Sequence, residues 1–367
     1  DVGIRNEIWI VNTVGCVNAL AERLSRLTGA KCFPHPYGCS QLGDDHTTTQ
    51  KILKGLVNHP NAAGVLVLAL GCENNTLDSF KALLGDINEK RVKFLVVQKC
   101  EDEIEEGVKL IKELEAYRDT FKKQTFPVSK LRVGLKCGGS DGFSGITANP
   151  LLGQFSDRLI SAGGSTVLTE VPEMFGAETI LMNRCVDESI FNKTVDLINN
   201  FKAYFVAHNQ VIYENPSPGN KEGGITTLEE KSLGCIQKGG LSPVVDVLTY
   251  GDRLEKNGLS LLTGPGNDIV ACTNLMAAGV HLNLILFTTG RGTPLGAPVP
   301  TVKIATNHSL AERKANWIDF DASPTLDGSD LSDELLSYVI RVAEGEQTRN
   351  EANKYEEISI FKDGVTL

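Results

Sequence analysis

Four times in its N-terminal half the chain runs an apolar stretch into a turn and then into a helical pattern. Residues 8–14 (IWIVNTV), 64–70 (GVLVLAL), 92–97 (VKFLVV) and 131–135 (LRVGL) have the near-continuous apolarity of strands buried on both faces. Val17, Leu20, Ala21 and Leu24 recur at helical period, as do the apolar positions of residues 50–57, 77–84 and 102–117. Alternation of this kind predicts an α/β protein with parallel, doubly wound sheets. Ligands of such sheets sit outside the carboxyl ends of the strands.

The pattern resumes further on. Residues 166–171, 259–262, 282–288 and 299–306 read as strands, and residues 149–162, 190–206, 268–278 and 335–343 as helices. Two doubly wound, mostly parallel units are expected, residues 1–214 and 215–367, packed around an interdomain cleft. The second opens with NPSPGNKEGG (215–224), a dense cluster of turn formers.

Strand ends are therefore where chemistry is sought. Residues 135–150 (LKCGGSDGFSGITANP) leave a strand through Gly138 and Gly139 and enter a helix. Backbone N–H groups in such a loop can meet an anion, and Ser140, Asp141, Ser144, Thr147 and Asn149 add polar groups. Cys16, Cys72 and Cys137 each follow an apolar strand, and Cys39 lies in HPYGC beside His35. With His46, Glu73 and Glu170 they form a set of soft and borderline metal donors. Cys32, Cys100, Cys185, Cys235 and Cys272 lack this setting and read as structural. Asn215, Ser217 and Asn220 suit sugar hydroxyls. Thr289 and Arg291, in FTTGRG, follow another strand, and the guanidinium can clamp a carboxylate bidentately. Lys303, inside an apolar strand, is a general-base candidate.

Composition removes several classes. A net charge of −10 without a basic block argues against a nucleic-acid partner. No apolar run approaches the ~20 residues of a membrane helix. Nine cysteines, mostly inside or beside apolar strands, suit a reducing, cytoplasmic setting. VGCVNA after the first strand lacks the GxGxxG of a nicotinamide dehydrogenase. The first residue, Asp1, is not methionine, so the chain reads as a fragment or processed product.

DVGIRNEIWIVNTVGCVN, HPYGCSQLGDDH, LALGCENN, LKCGGSDGFSGITANP, TEVPEMFGAE and YENPSPGNKEGGITTLEEKSLG occur in this order. LLTGPGND, FTTGRGTP, VPTVKIATN, WIDFDA and a closing GVTL follow them. This series resembles the altronate/galactarate dehydratase family over essentially the whole chain, with QLGDDH and VPEMFGAE closer to its altronate branch. The resemblance implies a hydro-lyase converting D-altronate to 2-dehydro-3-deoxy-D-gluconate. The alternatives are a galactarate-type dehydratase and a nonenzymatic sugar-acid-binding protein. It also implies iron(II), with an iron–sulfur cluster as the alternative and Mn(II) as a possible substitute. In this reading Cys16, Cys39, Cys72, Cys137 and Glu73 hold the metal, while His35, His46, Glu170 and Lys303 are catalytic candidates. A homo-oligomer is expected, as is a small β-rich domain ahead of this segment in the full-length chain.

Overall fold

The structure, a computed structural model, describes residues 2–278 and 282–364. Asp1 and the Val365–Leu367 part of the GVTL stretch lie outside the described residues.

Eleven strands among the described residues build two sheets, parallel throughout. The small sheet has the order β2-β1-β3-β4, from β1 (Glu7–Asn12), β2 (Lys31–Cys32), β3 (Ala62–Ala69) and β4 (Val92–Val96). Its helices are α1 (Asn18–Thr28), α2 (Asp44–Val57), α3 (Leu77–Leu84) and α4 (Glu103–Arg118). β3 is buried at all eight of its positions, as its unbroken apolar run requires.

The large sheet has the order β11-β10-β9-β5-β6-β8-β7. Its strands are β5 (Arg132–Cys137), β6 (Ser165–Leu168), β7 (Val244–Leu248), β8 (Gly258–Leu262), β9 (Leu282–Thr289), β10 (Thr301–Ala305) and β11 (Phe320–Asp321). The expected boundary at 214/215 is corrected here, because β5 and β6 pair with β9 and β8 in one sheet. The division falls after α4, ahead of β5. After α5 (Ala148–Ser161), α6 (Glu178–Met182) and α7 (Glu188–Ala207), NPSPGNKEGG is then an excursion within the large unit, leading through α8 (Pro218–Glu222) to α9 (Leu228–Ile236).

Each sheet has a point where neighbouring strands wind in opposite directions, β1/β3 in the small one and β5/β9 in the large one. Crevices form there, because the loops leave to opposite faces. Gly15, Cys16 and Cys72 flank the first point, and the loops after Cys137 and Thr289 flank the second.

The two units share one apolar core. Trp9, Ile52, Leu56 and Phe80 of the small unit pack in the same cluster as Leu262, Leu275, Met276 and Ile285 of the large one. α2 meets α10 (Asp268–Ala277) so closely that a Cβ at Gly55 would lie 2.0 Å from the Ala277 carbonyl oxygen. A shared core of this kind opposes hinge motion between the units. Residues 351–364 then return across both. Arg5 pairs with Glu351, Lys31 with Glu356, and Phe361 donates its N–H to the Tyr250 hydroxyl. The Asp363 and Gly364 amides donate to Asp45.

No helix among the described residues is long and apolar enough to cross a membrane.

Candidate active site

β5 runs apolar through Val133, Gly134 and Leu135 and then presents Lys136 and Cys137, both buried, beside the β5/β9 crevice. Three further segments converge on them. Glu170 follows β6 and adopts φ +69°, ψ +60°, a left-handed conformation that a residue with a Cβ rarely takes. Strain of this kind persists where surrounding structure enforces it. Glu173 lies one short turn later. α9 then contributes Lys231 and Cys235 at i and i+4, and the following turn Lys238, all buried.

These side chains form one hydrogen-bonded cluster. Lys136 Nζ donates to Glu170, to Asp268 Oδ1 (2.8 Å) and to the Cys137 carbonyl (2.6 Å). Cys137 Sγ lies 2.8 Å from Lys238 Nζ, 2.9 Å from Glu173 Oε2 and 3.6 Å from Cys235 Sγ. Lys231 Nζ reaches Glu173 Oε1 (3.0 Å), Ser140 Oγ (2.9 Å) and Cys235 Sγ (3.3 Å).

Charge placement follows from these contacts. The hydrogen bond from Cys235, joined by the Lys231 and Lys238 ammonium groups, outweighs burial and pulls the Cys137 thiol down to about 5. Burial raises Glu173, but Lys231 and Lys238 overcome it and hold this carboxyl well below the usual range. Burial, then the charges of Cys137 and Glu173, push Glu170 up to about 8. The bond to Cys137, together with burial, pushes the Cys235 thiol well above its ordinary value. At neutral pH three ammonium groups therefore face Glu173, Asp268 and the Cys137 thiolate, with Glu170 largely holding its proton.

A cleft of about 830 Å³ opens above this cluster. Gly138, Gly139, Glu173, Lys231, Asn267 and Arg291 are among its lining residues, along with Asn215, Ser217 and Asn220. Arg291 is half-exposed, donating to the Gly219 carbonyl (2.9 Å) and pairing with Glu222 (3.2 Å). Its own N–H donates to the Gly139 carbonyl (2.9 Å). The Gly-rich loop and Arg291 thus meet on adjacent strands of one sheet, and this cleft is formed within the large unit instead of between two units.

Other expected residues are placed differently. Asp141 accepts from Thr306 Oγ1, Asn307 Nδ2 and Ser144 Oγ, so it ties the loop to the end of β10. Thr147 donates to the Phe143 and Thr306 carbonyls, Asn149 to the Gly234 carbonyl, and Thr288 donates to Asn149. Asp141, Ser144, Thr147 and Asn149 therefore shape the loop and are absent from the cleft lining. Ser140 is buried under Lys231. Thr289 accepts the Gly292 N–H and sets the Arg291 turn.

His35 is buried, with Nε2 2.9 Å from the Asn12 carbonyl and Nδ1 accepting the Tyr37 N–H. Burial lowers its pKa. Both ring nitrogens serve the main chain, which removes it as a proton carrier. Glu73 accepts from Thr13 Oγ1 and the Leu70 and Gly71 amides, clasping its own turn. His46 lies in the first turn of α2, its Nδ1 buried without a hydrogen-bond partner among the described residues. Lys303 donates to the Thr293 and Leu295 carbonyls, and burial brings it down to about 8. None of His35, His46, Glu73 or Lys303 lines the cleft.

The expected thiols divide into two sets. Cys137 joins Cys235, whereas Cys16, Cys39 and Cys72 stand at the carboxyl edge of the small sheet, exposed or half-exposed. A Cβ at Gly38 would lie 2.0 Å from the Thr13 carbonyl oxygen, and the Asn75 N–H donates to the Gly38 carbonyl. The three Cys-bearing loops thus interlock.

Lys136, Lys231, Cys235 and Lys238 carry much of the buried cluster, and the sequence reading missed all four. Spacing of 4 and then 3 between Lys231, Cys235 and Lys238 places charge and thiol on one helical face, a signal that was available.

Cys137, Glu173 and Cys235 offer donor atoms within 4.8 Å of one another. Two thiols and a carboxylate are chemically apt for iron(II). Yet Lys238 and Lys231 already occupy these donors and balance their charge, so a divalent ion would be pressed against two ammonium groups. As arranged, this cluster does not fit the metal. The contacts of Cys39 and Cys72 are to neutral groups, Asn74, Ser40 and Gln98.

The chain is similar to known proteins along its whole length. Residues 1–118 match the family described as D-galactarate dehydratase/altronate hydrolase, second domain, and residues 128–366 that described as D-galactarate/altronate dehydratase, C-terminal. The gap between the two matches coincides with the break between the sheets. An altronate dehydratase of Bacillus subtilis is 58% identical over the whole chain and 76% of its own length. An altronate dehydratase of Escherichia coli is 55% identical over the whole chain and 77% of its own. The (2R)-sulfolactate sulfo-lyase subunit beta of Chromohalobacter salexigens is 30% identical over 98% of the chain and 94% of its own. On these matches the chain belongs to the D-galactarate/altronate dehydratase family.

Proposed function

We propose that the chain is a hydro-lyase that removes water from D-altronate to give 2-dehydro-3-deoxy-D-gluconate. The observation that carries this reading is a carboxylate and an ammonium side by side in a sugar-sized cleft, Glu173 and Lys231, with Arg291 also lining it. The altronate-acting relatives point to the same substrate.

Elimination must take the proton next to the substrate carboxylate and then expel the neighbouring hydroxyl. Proton loss puts a second negative charge onto an existing anion, so fixed cations are the stabilisers required. Arg291 takes the carboxylate in exchange for exposed Glu222. Glu173, held ionised, accepts the proton, and Lys231 gives one to the departing hydroxyl, which leaves as water. Protonated Glu173 returns its proton to Lys231 across their 3.0 Å contact, which resets both groups. The enol product becomes the ketone by gaining a proton at the adjacent carbon and losing its hydroxyl proton. Incubation with altronate and no added nicotinamide, followed for the 2-keto-3-deoxy acid, tests the reading. Turnover of galactarate alone would sink it in favour of the sister activity.

Arg291→Ala is expected to raise the altronate KM roughly ten- to hundredfold, since a charge-assisted pair contributes about 1.5–3 kcal/mol. The half-exposed side chain leaves the melting temperature nearly unchanged. An unaltered KM in the folded variant would remove Arg291 from the carboxylate.

Iron(II), which when bound would supply Lewis acidity toward a hydroxy acid, is assigned to the Cys16, Cys39 and Cys72 edge because the contacts of Cys39 and Cys72 are to neutral groups, though the three sulfurs are not gathered within 4.8 Å of one another. Iron analysis on anaerobically purified protein should show Cys72→Ala losing bound iron and Cys235→Ala keeping it. The opposite result would return the metal to the buried thiols. A reducing cytoplasmic setting completes the reading, supported by nine free cysteines.

A further inference from the structure

We propose that Cys137 and Cys235 form a reversible redox latch, closing to a disulfide under peroxide and disabling the lysine–carboxylate site between them. Three observations carry this. The sulfurs stand 3.6 Å apart, roughly 1.5 Å from bonding distance, so rotation of one side chain closes most of the gap. Two ammonium groups border the pair, Lys238 at 2.8 Å from Cys137 and Lys231 at 3.3 Å from Cys235, and positive surroundings favour the reactive thiolate. On the Cys235 side, open space borders the pair. Cys235 lines a cavity of about 200 Å³ together with Ser140 and Lys231, and Lys231 lines the cleft as well.

The chemistry balances with hydrogen peroxide as oxidant. The Cys137 thiolate attacks one peroxide oxygen, the O–O bond breaks, and hydroxide departs to leave a sulfenic acid. The Cys235 thiol gives its proton to that hydroxide, making water. The Cys235 thiolate then attacks the Cys137 sulfur and expels a second hydroxide. Overall one thiolate, one thiol and one peroxide yield a disulfide, a water and a hydroxide. Closure removes the anion that faces Lys238 and draws Cys235 away from Lys231, so the ammonium that neighbours Glu173 loses its arrangement.

Nearness of the resolving thiol distinguishes this pair from the exposed cysteines. Cys16 and Cys72 oxidise more readily by access, but neither has a described thiol in hydrogen-bond contact. Cys235, bonded to its neighbour, protects Cys137 from irreversible oxidation by capturing the sulfenic acid first.

The test is peroxide titration of the intact chain, with peptide mapping under non-reducing conditions. A peptide linking Cys137 to Cys235 is expected, lighter by two hydrogens. Its yield should track loss of dehydration, and dithiothreitol should reverse both. Cys235→Ser should leave Cys137 to advance to the sulfinic acid, with no recovery on reduction. The bond is read by mass, so it stands or falls separately from the identity of the substrate. Peroxide-treated parent protein with links only among Cys16, Cys39 and Cys72, or with Cys137 sulfinic acid and no link, would overturn the latch.

Discussion

Replacing Lys231 with methionine is expected to lower kcat about 10²–10⁴-fold, the usual span for removing a positioned acid. The ammonium lines the cleft and touches Glu173 at 3.0 Å, and no other lysine among the described residues lines that cleft. Methionine keeps most of the volume, so packing against Ser140 and Cys235 changes little. KM should move far less than kcat, because the carboxylate clamp is separate. Glu173→Gln should fall by a similar factor, and the double variant should fall hardly further than either single one. Groups that hand one proton back and forth act as a unit, so their losses do not multiply. A folded Lys231→Met enzyme within tenfold of the parent kcat would show that this ammonium takes no part in the chemistry.

The second large effect concerns stability. Lys136 is fully buried, bonded to Glu170, Asp268 and a carbonyl, with its ammonium 5.6 Å from the Phe287 ring centre. Lys136→Met should cost about 3–5 kcal/mol above pH 8, where removing the ammonium strands an ionised Glu170 in a water-poor interior. Glu170 softens the loss, since its pKa already stands at about 8 and the neutral form needs no counter-ion. A group raised in the folded state stabilises fully below its unfolded value and loses that contribution as pH rises through the folded one. The variant should therefore lose most stability above pH 8, where Glu170 must ionise in the parent. Adding Glu170→Gln should recover part of it. Urea midpoints across pH would measure both; a loss under roughly 1 kcal/mol, ordinary for a surface change, would refute the pairing.

Much of this was legible in sequence, and the residues show where legibility stopped. Apolar runs ending at Cys16, Cys72 and Cys137 announced parallel strands and their carboxyl edges, because burial on both faces leaves no room for alternation. Glu170 was visible at a strand end for the same reason, though its left-handed backbone was not. Spatial order was hidden. Nothing local says that β9 pairs with β5, so the loops at Cys137 and Arg291 appeared to belong to different units. Lys136 was masked by the run it completes, and Cys235 resembled an ordinary helix-packing residue. His35 misled in the other direction. A histidine in a turn beside cysteine suggests reactivity, and only coordinates reveal two backbone groups already holding its ring.

The returning segment at residues 351–364 bears on how the chain is made. Arg5 waits for Glu351, 346 positions later, and Lys31 waits for Glu356. On the ribosome the small unit emerges before the large one and can collapse on its own strands. Its apolar α2 surface, however, finds α10 only once most of the large unit has been translated, and Asp45 receives the Asp363 and Gly364 amides later still. Closure at such sequence separation is slow. A nascent small unit therefore keeps an apolar face uncovered until the large unit follows it, which is the interval in which such a face is prone to wrong contacts.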